Sequence, residues 1–112
     1  MSLAVTHPVP LREFCHARAH VAGSALVIVL ALRDPQDWRL VREGASLARV
    51  RAWLGALRAG NVRRLELPGL AALHFLFEAA AGAGRGHDLS ADPTGRAFAQ
   101  RLLDMPVPVA PN

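Results

Sequence analysis

At 112 residues and 12.0 kDa, with 52% hydrophobic residues, the chain has the length for one domain and one core without metal or disulfide staples. Its single thiol, Cys15, excludes an intramolecular disulfide and a cysteine-built zinc cluster, and a mean hydropathy of +0.21 argues against intrinsic disorder. The 13 basic residues are all arginine, stand against nine acidic ones and are dispersed, so the net charge of +4 and the pI near 11.3 reflect a side chain that does not deprotonate more than a phosphate-tracking patch, and no nucleic-acid partner is expected.

Residues 1–10 hold two prolines and read as a flexible arm, and residues 106–112 repeat that character with three prolines. The chain does not open on a basic region followed by an apolar run. Its longest strongly apolar stretch, 25–32, is far short of the about 20 residues a spanning helix needs. No membrane partner is expected, and the free thiol fits a cytoplasmic setting.

Between the ends, residues 11–18 alternate and suggest a first strand. Residues 24–32 (SALVIVLAL) are continuously apolar with a β-branched centre, which predicts a buried central strand. Asp34-Pro35 then reads as a helix cap followed by proline at the first helical position, opening a short helix with Trp38 and Val41 that stops at Gly44. Ser46 caps a longer helix over 46–59, whose Leu47, Val50, Leu54 and Leu57 recur at helical spacing. Residues 62–67 (VRRLEL) read as a half-buried strand ended by Pro68-Gly69.

Wheel arithmetic predicts a helix over 70–81, with Leu70, Leu73, Phe77, Ala80 and Ala81 in its core arc. Phe75, Leu76 and three alanines fall outside that arc, and His74 and Glu78 are its only polar residues. A helix apolar nearly all round needs cover on more than one side, so this segment points to a homo-oligomer or a partner subunit. A glycine-rich break, a short strand over 88–91 and a last helix opened by Asp92-Pro93, with Phe98, Leu102 and Met105, complete the order β-β-α-α-β-α-β-α. Its strand-helix-strand crossovers predict some parallel pairing. The fold class is α+β, a two-layer sandwich of about four strands with helices on one face, built from residues 11–105 as a single domain.

The candidate chemistry is sparse. If the His16–His20 segment is extended, His16, Arg18 and His20 share one face and could hold a ligand, while Cys15 points the other way. No acid lies near them in sequence, which speaks against a metal site. His74 and Glu78, at i,i+4 on the expected helix, could orient an imidazole. The loop 82–86 (GAGRG) lacks the spacing of a phosphate-cradling loop, and no serine stands in a nucleophile elbow. No cofactor, metal site or catalytic constellation is indicated.

The segments Glu66-Leu-Pro-Gly-Leu70 and Ala72-Leu-His-Phe75 resemble the Glu-Leu-Pro-Asn-Leu and Ala-Leu-Asn-Phe of the AtuA-like ferredoxin-fold family. Asp92, Gly95 and Arg96 match an acidic residue and a Gly-Lys pair, Leu102-Leu103 follow, and Arg33 matches an arginine ending the second strand. The family's Arg-Ser-Gly-Asp-Lys-Gly reads here Arg18-Ala-His-Val-Ala-Gly23, and its later Ala-Asn reads Leu26-Val27. The hydroxyl, carboxylate, ammonium and amide of that stretch are thus replaced mostly by apolar groups. The resemblance implies a ferredoxin-like α+β fold, a cytoplasmic protein and a loose link to acyclic terpene or acyl-CoA catabolism; it supplies no reaction. A non-enzymatic, self-associating or accessory subunit is the function this combination suggests. The alternative is a subunit that binds or transforms a small molecule of acyl-CoA type, using His16, Arg18 and His20.

Overall fold

A computed structural model of the chain describes residues 7–23, 25–54, 62–78 and 94–109. In chain order these form β1 (His7–Pro10), β2 (Cys15–Ala22), β3 (Ala25–Leu32), α1 (Trp38–Gly44), α2 (Leu47–Leu54), β4 (Val62–Leu67), β5 (Ala72–Phe77), α3 (Arg96–Leu103) and β6 (Pro106–Val109). Single 3-10 turns stand at Leu11–Glu13, Pro35–Asp37 and Pro68–Leu70. The architecture is α+β and ferredoxin-like: a four-stranded sheet in the order β2-β3-β5-β4 with helices packed on one face, beside a two-stranded ribbon of β1 and β6.

The local chemistry explains several of these elements. β2 alternates, burying Cys15 while His16, Arg18 and His20 are exposed. β3 is apolar throughout because it is the sheet's interior strand, paired with β2 on one side and β5 on the other. The Asp34 carboxylate accepts a hydrogen bond from the Gln36 N–H at 2.9 Å, as the Asp-Pro device requires. Ser46 Oγ accepts from the Arg49 N–H at 3.3 Å ahead of α2. Leu26, Ile28 and Leu30 of β3 lie opposite Phe77, Phe75 and Leu73 of β5, and all six side chains are buried. Phe98 of α3 meets Phe77 edge-on at 5.6 Å between ring centroids, fixing the helix layer on this face.

The structure departs from the sequence reading in four places. The helix expected over 70–81 is instead a turn and a strand: Pro68–Leu70 turns, Ala71 takes φ 48°, and Ala72–Phe77 returns antiparallel to β4 with Leu67 opposite Ala72. A left-handed residue at 71 is incompatible with a helix running through it. The segment is apolar on both sides because β5 is interior to the sheet, and an interior strand and a buried helix share that signature.

The parallel pairing expected from crossovers is likewise absent among the described strands, since the β4–β5 connection is a hairpin and every ladder is antiparallel. The strand expected over 11–18 is β2, Cys15–Ala22, which starts four residues later than expected because Leu11–Glu13 turns.

Finally, the two proline-rich ends, read as loose, pair with each other: His7–Pro10 runs antiparallel to Pro106–Val109. Pro8 faces Pro108 and Pro10 faces Pro106, with Val9 opposite Val107 between them. Paired residues of an antiparallel ladder alternate between hydrogen-bonded and non-bonded positions, so prolines two apart all fall where no N–H is needed. Val107 is fully buried, and a methyl group added at Gly44 of α1 would overlap its Cγ1, so β6 lies directly on α1. The strand expected at 88–91, the Asp92-Pro93 cap and the end of the helix over 46–59 lie outside the described residues.

Candidate functional site

The sheet has a helix-covered face and an outer face, and the candidate side chains sort onto the outer one. The ladder places Arg18 opposite Val29, Val29 opposite His74 and His74 opposite Leu65, one row across four strands. The next row is His20, Val27, Leu76 and Arg63; the one on the other side is His16, Ala31, Ala72 and Leu67. The expectation that His16, Arg18 and His20 share a face therefore holds.

Spacing separates them, however. His16 and His20 are four residues apart on a strand, about 13 Å, too far for both imidazoles to reach one ion, and His74 lies two strands from Arg18, about 10 Å away. Among the described residues no three His, Cys, Asp or Glu side chains converge.

Individual partners narrow the chemistry further. The Arg33 guanidinium donates to His16 Nε2 at 3.2 Å and to the Arg12 carbonyl at 3.2 Å, so His16 is held in a bracket that Arg12 extends to Asp104 and Gln100. His74 and Glu78, expected as neighbours on a helix, are about 13 Å apart along a strand. The Glu78 carboxylate instead pairs with Arg63 at 3.0 Å. Burial pushes the Cys15 thiol up to about 12, opposed by the positive charge of Arg33 and aided by Asp37. A thiol held neutral is neither a nucleophile nor a metal ligand at ordinary pH.

A hollow also lies at the β2 edge, toward the helix layer. A cleft of about 560 Å³ runs between this edge strand and the start of α3. Ala17, Ala19 and Ala99 line it with small apolar surface, and Arg18, Thr94, Arg96 and Gln100 supply its polar groups. Gly95 makes the close packing beneath it: its φ is 78°, and a methyl group there would overlap Leu26 and crowd Ala19.

The sequence reading found Arg18 but not Arg96, which lies 78 positions away and carries no local pattern. The Gly95-Arg96 pair in the resemblance was the one available signal. Two smaller hollows, about 250 and 310 Å³, share Arg49. Its guanidinium is committed to the carbonyls of Gly44 and Pro106, both at 2.8 Å, which makes it a brace between α1 and β6.

No helix among the described residues is long and apolar enough to cross a membrane. A family model described as the AtuA ferredoxin-like domain matches residues 9–108, from within β1 to within β6. No curated protein and no solved structure matches the chain.

Proposed function

The chain belongs to the AtuA ferredoxin-like domain family, and from that premise we propose that it is a non-enzymatic accessory subunit that self-associates through the outer face of its sheet. The observation carrying this reading is the composition of that face. Its interior strands present Val27, Val29 and Leu76 around His74, none fully buried, and Leu65 of β4 is 61% exposed, with the described helices packed on the other side. The surface that the sequence reading assigned to a helix over 70–81 is therefore reassigned to this sheet face.

A second copy is the occupant that the charge layout favours. The β2 edge carries His16, Arg18 and His20, while the far side carries Leu65 and the Arg63–Glu78 pair. A two-fold axis along the strands stacks each basic edge on the far edge of the other copy, bringing Glu78 to the basic side. An axis across the strands would set Arg18 over Arg18, which like-charge repulsion disfavours. Four strands about 20 Å long present roughly 400 Å² of projected face per copy. That totals about 800 Å², below the roughly 1,200 Å² of stable specific complexes, so the dimer is expected to be weak and concentration-dependent.

The replacement of the polar Arg-Ser-Gly-Asp-Lys-Gly stretch by Arg18-Ala-His-Val-Ala-Gly23 supports a scaffold role over catalysis. Acyclic terpene or acyl-CoA catabolism, in the cytoplasm where a free thiol stays reduced, is the setting that the resemblance implies.

Sedimentation velocity from low micromolar to several hundred micromolar protein tests this. A rise in mass with concentration, abolished by Leu65→Glu at unchanged thermal stability, is the expected result. A wild-type monomer throughout that range rejects the reading.

A further inference from the structure

We propose that the cleft between β2 and α3 is a binding site for a small organic anion, a phosphate monoester or carboxylate carrying a short aliphatic chain. Apart from Arg18, which stands at the edge between the two surfaces, its lining lies on the opposite side of the sheet from the self-association argued above. Its volume of about 560 Å³ falls within the range of small-molecule sites.

The electrostatic case rests on which arginines are occupied. Arg12 pairs with Asp104, Arg39 and Arg42 with Glu43, Arg63 with Glu78, and Arg64 with Glu66. Arg33 and Arg49 are bound to carbonyl oxygens. Arg18 and Arg96, like Arg51 and Arg101, have no acidic partner among the described residues, and of these four the first two line this one cleft from segments far apart in sequence. Two arginines bordering one cleft without a counter-charge among the described residues favour an anion at that concave surface. Guanidinium groups suit planar or tetrahedral oxyanions, which they bind through charge-assisted and often paired hydrogen bonds.

The remaining walls define the rest of the ligand. Ala17 and Ala19 project from β2 toward α3, and Ala99 faces them from the helix, giving a narrow apolar strip beside the charged rim. Such a strip accepts a short alkyl chain and offers no ring-stacking surface for a nucleobase. Gln100 adds an amide, although its side-chain oxygen already accepts from Arg12 at 3.3 Å.

Titration of the full chain with n-butyl phosphate, inorganic phosphate and butyrate, followed by amide NMR shifts at low salt, tests the proposal. The expected result is saturable binding of n-butyl phosphate, several-fold tighter than inorganic phosphate, with shifts centred on 17–19 and 94–100. Arg96→Ala and Arg18→Ala should each weaken it about tenfold or more. Arg96→Lys should retain most of the affinity, and Arg51→Ala, an exposed arginine of α2, should leave it unchanged. Butyrate binding at the same residues would extend the site to carboxylates, and its absence would restrict the site to phosphate esters. Shifts that fail to saturate, or that weaken equally in Arg51→Ala, would overturn the site. The oligomeric state is read separately by mass.

Discussion

Cys15 shows how one residue can be read twice. From sequence it is the lone thiol beside three polar strand residues; in the fold it is fully buried, at the inward end of β2 opposite Leu32. Burial raises its pKa from 9.0 to about 12, so folding favours the neutral thiol. The sign follows: an acid whose folded pKa is raised contributes stability that is complete below about pH 9 and is lost as pH climbs toward 12. The chain has no lysine and no tyrosine, so Cys15 is the only side chain that titrates in that window. Urea midpoints measured from pH 8 to 11 should therefore fall, and Cys15→Ala should flatten the fall. A wild-type curve level across that window would remove burial of the thiol as its basis. In the native state at pH 8 the same thiol should resist an aromatic disulfide reagent until urea is added.

At the scale of elements, what the sequence shows depends on whether the signal is local. The interior strand β3, the Asp34-Pro35 cap and α1 ending at Gly44 were legible because their patterns are complete within ten residues. β5 was not, because Leu73 and Phe77 fit periods of two and of 3.6 alike, and apolar residues at the outward positions leave Phe75 no polar contrast to mark the shorter period. The β1–β6 ribbon failed for another reason: its partners are almost a hundred residues apart. Its signal was nevertheless present, as a period-two repeat of proline in both segments. That register makes a prediction about backbone donors. Val9→Pro places a missing N–H at the bonded Val9–Val107 pair and should cost about 1–3 kcal/mol. Pro8→Ala, at a non-bonded pair, should stay within about 1 kcal/mol of wild type. Chemical denaturation with an unchanged slope measures both, and equal costs for the two substitutions would contradict the register.

For the whole molecule, one sheet separates two surfaces of different character. The helix side holds the core and, at its β2 edge, the anion cleft; the outer side holds the apolar face. Sequence reasoning reached the outer side through His16, Arg18 and His20, whose spacing alone fixes a shared face. It could not reach the cleft, because Arg96 joins Arg18 only through the docking of α3 on β2, which the buried Gly95 permits. The two surfaces meet at Arg18, which stands on the outer face of an edge strand and also lines the cleft. This sharing sets the expected coupling. Leu65→Glu, three strands from β2, should abolish the dimer while leaving n-butyl phosphate affinity unchanged. Arg18→Ala should weaken the ligand strongly and the dimer only slightly, because a charge on a rim is worth little beside the apolar centre. Measuring both variants by sedimentation and by titration separates the surfaces. A loss of ligand binding in folded, monomeric Leu65→Glu would mean that the cleft is completed by the second copy rather than by this chain alone.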